Sequence, residues 1–159
     1  MIVGVMGGGE SASAEDCKVA YQLGKLIARE GWVLLNGGRP AGVMEASARG
    51  AKENHGLTVG ILPDNSSCFA CKYIDIPIVT GMGDGRNYIN VLSSDLVVAL
   101  PGKAGTISEI ALALKNRKKV ILLNFPVGKT FDFYMEEGLL HTAGSPEEAI
   151  QVIKNTLTL

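Results

Sequence analysis

The stretch from Leu96 to Glu109 places the tightest constraint on how this chain can fold. Leu96-Val-Val-Ala-Leu100 is an uninterrupted apolar run, which a parallel strand buried on both faces requires. Pro101-Gly102-Lys103-Ala104-Gly105 breaks that run, and Ile107, Ile110, Ala111 and Leu114 then recur at the spacing of one helix face. A strand, a glycine turn and a helix start in direct succession form an anion cradle. Glycines let the backbone approach a ligand closely, and the first N–H groups of a helix have no partner within it. Lys103 adds a positive charge inside the turn. The ligand this predicts carries a phosphate.

The rest of the chain repeats the pattern. Ile2–Met6 is an apolar strand broken by Gly7-Gly8-Gly9-Glu10-Ser11. The helix that follows shows Val19, Leu23, Leu26 and Ile27 on one face, with Ser13 and Asp16 as a capping box and Gly31 as its stop. Trp32–Leu35 is a second strand, closed by Asn36-Gly37-Gly38-Arg39, with Pro40 in the first turn of the next helix. Leu57–Leu62 and Tyr73–Val79 read as a third and a fourth strand. Gly81-Met-Gly-Asp-Gly-Arg86 leads into a helix ending near Ser93, Leu96–Leu100 is the fifth strand, and Lys119–Asn124 the sixth. A last helix is capped by Ser145-Pro146-Glu147-Glu148. Strands alternating with helices predict one α/β domain over residues 1–159, a doubly wound and mainly parallel sheet of about six strands. Ligands of such sheets bind at the carboxyl ends of the strands, where the turns after strands 1, 2 and 5 all fall.

Composition excludes several classes of function. A formal net charge of −1 gives no bulk attraction to nucleic acid. No apolar stretch approaches the length of a membrane span, and the first residues carry no basic leader, so a cytoplasmic protein is expected. The three cysteines, an odd number, suit a reduced compartment. Cys68-Phe-Ala-Cys71 is a single C-x-x-C, and His55 and His141 form no pair with zinc-ligand spacing. No protein-ligated metal is predicted. His55 reads as a residue at a helix C-terminus, favoured there by the dipole.

Three glycine patterns compete for the phosphate. Gly7-x-Gly9-x-x-Ala12 loosely fits the dinucleotide fingerprint, but that reading needs an acid at the end of strand 2, where this chain has Asn36. A nicotinamide-dependent oxidoreductase is disfavoured for that reason. Gly128-Lys129-Thr130 lacks the first glycine of a P-loop, its place being taken by Leu123. The remaining pair is carried by Gly37-Gly38-Arg39-Pro40-Ala41-Gly42-Val43-Met44 and Pro101-Gly102-Lys103-Ala104-Gly105-Thr106-Ile107-Ser108-Glu109. The first resembles the GGG-x-x-G-[LV]-M element, and the second the P-G-G-x-G-T-x-x-E element, of the LOG (Lonely Guy) cytokinin-activating, "lysine decarboxylase-like" family. Gly-Arg-Pro-Ala-Gly-Val-Met-Glu and Ile-Ser-Glu-Ile-Ala-Leu-Ala-Leu are most similar to the subgroup of molybdenum cofactor carrier proteins.

That resemblance implies a Rossmann-like fold, a small phosphate-bearing ligand and a homodimer or homotetramer. The ligand would be molybdenum cofactor (molybdopterin) or a nucleoside monophosphate. In the hydrolase branch the family's catalytic pair corresponds to Arg86 and Glu109, which implies a nucleoside 5′-monophosphate phosphoribohydrolase as the alternative to a carrier. Gly38-Arg39 replaces the third glycine of the first element and Lys103 the second glycine of the other, departures that favour binding over hydrolysis. The candidate ligand-binding residues are Gly7, Gly8, Gly9, Ser11, Gly37, Gly38, Arg39, Gly102, Lys103, Ala104, Gly105 and Thr106. Several have a plainer reading beside this one. Thr106-x-x-Glu109 is also a capping box, with the carboxylate on the Thr106 N–H. Arg39 either reaches the ligand or pairs with an acid of a second subunit. Lys103 is a phosphate contact or an exposed loop lysine. Asn87 and Asp95 read as helix-start and strand-start polar residues, and Met44 as core.

Overall fold

A computed structural model describes residues 1–157. Among them, seven parallel strands form one sheet in the order β4-β3-β2-β1-β5-β6-β7. The strands are β1 (Ile2–Met6), β2 (Val33–Asn36), β3 (Thr58–Leu62), β4 (Ile76–Val79), β5 (Leu96–Ala99), β6 (Val120–Leu123) and β7 (Leu140–Ala143). The helices are α1 (Ala14–Arg29), α2 (Gly42–Lys52), α3 (Arg86–Ser93), α4 (Ala104–Lys115), α5 (Asp132–Glu136) and α6 (Pro146–Leu157). The expected doubly wound sheet is present, with one strand more than the sequence pattern predicts. β7 contains His141 and Thr142, so its four residues make no apolar run for a pattern to detect.

Apolar residues of the sheet divide between two cores. Val3, Val5, Leu34 and Val98 pack with Leu23 and Ile27 of α1, Val43 of α2 and Ile153 of α6 on one face. Val97, Ala99 and Leu122 pack with Val91 of α3 and Ile110 and Leu114 of α4 on the other. All residues of β5 and β6 are buried, as strands covered on both faces must be. β4 is the opposite case. It is an edge strand with every residue exposed, and Pro77 within it blunts the free edge.

Local signals behave as expected at α1. Ser13 and Asp16 form the reciprocal capping box, and Gly31, at φ 71°, follows the helix end. Two helix boundaries differ. Pro40 lies before α2, whose N-cap is Ala41, because the turn after β2 runs two residues further before winding. His55 lies beyond the end of α2 in a left-handed turn, at φ 62°.

The sheet order reverses at β1. From there the chain winds outward through β2 to one edge and returns through β5 on the other side. That reversal opens a crevice above the carboxyl ends of β1 and β5, and the glycine turns converge on it.

Candidate functional site

Three turns build the cleft at this crevice. The Gly8 N–H donates to the Pro101 carbonyl at 2.9 Å, and the Val43 N–H donates to the Gly8 carbonyl at 2.9 Å. The first turn is thereby tied to the other two. The approach is close enough that a Cβ on Gly42 would fall on the carbonyl oxygens of Gly8 and Gly9, and Gly42 also takes a φ of 52°. The turn after β2 is braced from within. Asn36, fully buried, donates from Nδ2 to the Met44 carbonyl (2.8 Å) and the Ser47 hydroxyl (3.1 Å), and its Oδ1 accepts from the Gly38 N–H (2.8 Å). A residue spent in this way is not available to a ribose, in keeping with the reading that disfavoured a dinucleotide.

The cleft, about 220 Å³ in volume, is lined by Gly7, Gly8, Gly9, Ser11, Gly37, Arg86, Lys103, Gly105, Thr106 and Glu109. Those expected residues meet in one place. Gly38, Gly102, Ala104 and Arg39 stand outside the lining. Gly102 still shapes it, because a Cβ there would fall on the Thr106 hydroxyl. Arg39 turns away from the cleft. It pairs with Asp64 of its own chain at 2.9 Å and lies over the Phe69 ring, 5.8 Å from its centroid.

Lys103 is the N-cap of α4, and no side chain caps that helix start. The N–H groups of Ala104, Gly105 and Thr106 belong to the first turn of the helix and have no intrahelical acceptor. The exposed Lys103 side chain and the helix dipole therefore act at the same point, which favours an anion.

Arg86 opens α3 and its Nη1 donates to the carbonyls of Gly37 and Ile61, each at 2.5 Å. A Cβ on Gly37 would fall on that guanidinium, so the glycine is what lets the arginine cross to the second turn. Burial draws the guanidinium below its ordinary value, while Glu109 and Asp84 oppose that effect. Arg86 thus braces the cleft as well as contributing charge to it.

Glu109 is 7% exposed and its Oε1 accepts from Asn90 Nδ2 at 2.8 Å. Burial pushes its carboxyl up to about 7, although the Asn90 hydrogen bond and the Arg86 charge pull it down. The capping-box reading of Thr106 and Glu109 does not hold. With Lys103 as N-cap, Thr106 is the third helical residue and Glu109 lies a turn and a half into α4, facing Asn90. The Asn90 Oδ1 is buried without a hydrogen-bond partner, and a group left so costs about 1–3 kcal/mol.

Residues that the sequence does not single out also line the cleft, namely Val5, Met6, Asp84 and Asn90. Asn87 and Met44 belong with them, and Met44 is half-buried on the wall, not core. Asn90 lies one helical turn after Arg86 on α3, and that spacing is the one signal that could have marked it. Asp95 keeps its structural role, accepting from the Ile2 N–H at 2.6 Å. Cys68 is exposed and Cys71 buried, both free. Among the described residues no cluster of His, Cys, Asp and Glu is placed to hold a metal ion, and no helix is long and apolar enough to cross a membrane.

Known proteins share this architecture. The molybdenum cofactor binding protein of Rippkaea orientalis is 53% identical, over 98% of this chain and 96% of that one, and superposes with a TM-score of 0.92. The molybdenum cofactor carrier protein of Chlamydomonas reinhardtii is 44% identical over 99% and 98% of the two chains, with a TM-score of 0.91. The cytokinin riboside 5′-monophosphate phosphoribohydrolase of Mycobacterium tuberculosis is 35% identical over 99 residues, which are 61% of this chain and 53% of that enzyme. These likenesses place the chain near the molybdenum cofactor carriers within the LOG-like proteins. The profile of the SLOG cluster4 family matches residues 1–150, and the chain belongs to that family.

Proposed function

We propose that this protein binds and carries a phosphate-bearing cofactor or nucleotide, with molybdenum cofactor as its cargo. The observation that carries the reading is the start of α4, where an uncapped helix N-terminus and Lys103 face one cleft. The phosphate of molybdopterin suits that cradle, and the Thr106 hydroxyl stands beside it, against Gly102. Lys103, Gly105 and Thr106 would hold the phosphate, while Gly7 to Gly9 bring backbone to its other side. The likeness to cofactor carriers over almost the whole chain supports the cargo. Replacing Lys103 by Ala removes a charge-assisted contact and is expected to weaken ribose 5-phosphate binding about tenfold in titration calorimetry. Unchanged affinity would count against the cradle.

A second reading has its own support. Glu109 titrates near neutrality in a cleft that Arg86 also lines, as a general base for attack of water on a ribosyl bond requires. Incubation with AMP and related monophosphates separates the two. Release of free base by the wild type and not by Glu109→Gln would establish hydrolysis. Binding without release supports the carrier.

Assembly into a homodimer or homotetramer belongs to the same proposal. Tyr88 and Leu92, one turn apart on α3, are exposed, as is Met82 just before it, and a second copy would cover them. A monomer in sedimentation at micromolar concentration would refute this.

A further inference from the structure

The cleft has a second polar end that phosphate binding leaves unused. Glu109 follows the start of α4 by five residues, so its backbone lies about 7–8 Å along the helix axis from the cradle. Beside it stands Asn90, 1% exposed, from the facing helix α3. Asn90 Nδ2 is committed to Glu109 Oε1, and that is the only hydrogen bond the Glu109 side chain makes among the described residues. What remains free is of one kind. Asn90 Oδ1 is a buried acceptor without a partner, and the carboxylate keeps its second oxygen, also an acceptor. Arg86, whose charge acts on Glu109, already donates to two backbone carbonyls and to Asn87 Oδ1.

We propose that the Asn90–Glu109 pair recognises the head of the ligand through adjacent N–H donors, so that the cleft selects a phosphate ester whose ring carries a lactam N–H next to an exocyclic amine. This inference rests on the carrier reading and narrows it. Guanine and pterins present that donor edge, whereas adenine offers an acceptor at the corresponding ring position. An acceptor set against two acceptors repels, and a paired donor edge against them is a bidentate contact. The orphaned Asn90 oxygen then gains the partner it lacks within the chain.

The test compares GMP, AMP and ribose 5-phosphate by titration calorimetry at pH 8.5, where Glu109 is ionised. The wild type is expected to bind GMP about tenfold or more tightly than AMP. In Glu109→Gln and Asn90→Leu that preference falls several-fold, while ribose 5-phosphate, which lacks a ring base, loses less affinity than GMP in each variant, and its residual binding reports that the cradle is folded. If Asn90→Leu does not fold, Glu109→Gln decides alone. Equal affinity for GMP and AMP, with ribose 5-phosphate still bound, would overturn the donor-edge reading and leave the cradle standing. A GMP preference that survives in both variants would overturn it too, since other residues would then be reading the base. If none of the three ligands binds, the carrier reading falls with it.

Discussion

Glu109→Gln is expected to stabilise the protein by about 3 kcal/mol above pH 8. The carboxyl titrates near 7 in the fold, against an ordinary value of 4.5. Below pH 4.5 the acid is protonated in both folded and unfolded chains, and its burial is not opposed by charge. Between 4.5 and 7 the unfolded chain releases the proton and the folded one retains it, so stability falls by about 1.36 kcal/mol per pH unit. Above 7 the loss is complete and constant. Glutamine removes the ionisation and can still accept from Asn90. Denaturant titrations of both proteins from pH 4 to 9 should coincide at the acid end and separate through the window from 4.5 to 7. Parallel curves throughout would mean that Glu109 is not held in a costly ionised state.

Gly24→Ala is expected to cost about 3 kcal/mol or more, by a different mechanism. α1 and α2 cross with their backbones in contact. A Cβ on Gly24 would fall on the Ser47 carbonyl oxygen and lie 3.1 Å from the Ala51 nitrogen, and a Cβ on Gly50 would fall on the Tyr21 carbonyl oxygen. Neither obstacle is the end of a flexible side chain, so the helices must separate as bodies, which exceeds ordinary overpacking. For a domain of this size the loss corresponds to roughly 6–12 °C in melting temperature. Combining Gly24→Ala with Gly50→Ala should cost less than the sum, since the first displacement makes room for the second. Wild-type-like melting of Gly24→Ala would show that the crossing is looser than described. The consequence reaches the site, because the N-terminus of α2 carries Gly42 and Met44 against the cleft.

The strand and helix sequence of this protein was legible in its residues because both kinds of element are local. An apolar run at Leu96–Leu100 and a face repeating through Ile107, Ile110 and Leu114 need no distant partner to be recognised. Glycine turns ending β1, β2 and β5 fall on one edge for a related reason, since parallel strands joined by helices all present their carboxyl ends on the same side of the sheet. The pairing of Lys103 with a helix start was equally readable, and the structure keeps it. β7 escaped because His141 and Thr142 interrupt its four residues and leave no apolar run.

What only the tertiary structure decided is which way the polar side chains go. Arg39 turns to Asp64, 25 residues away in sequence, instead of to the cleft. Arg86 spans 49 residues to the Gly37 carbonyl, and Glu109 meets Asn90 across 19. The Thr106-x-x-Glu109 pattern is compatible with a cap until the exit of the chain from β5 places the N-cap at Lys103. Local patterns encode propensity and periodicity. Hydrogen-bond partners, burial and the titration of an acid depend on which segments the fold brings together, and those decide what the cleft can hold.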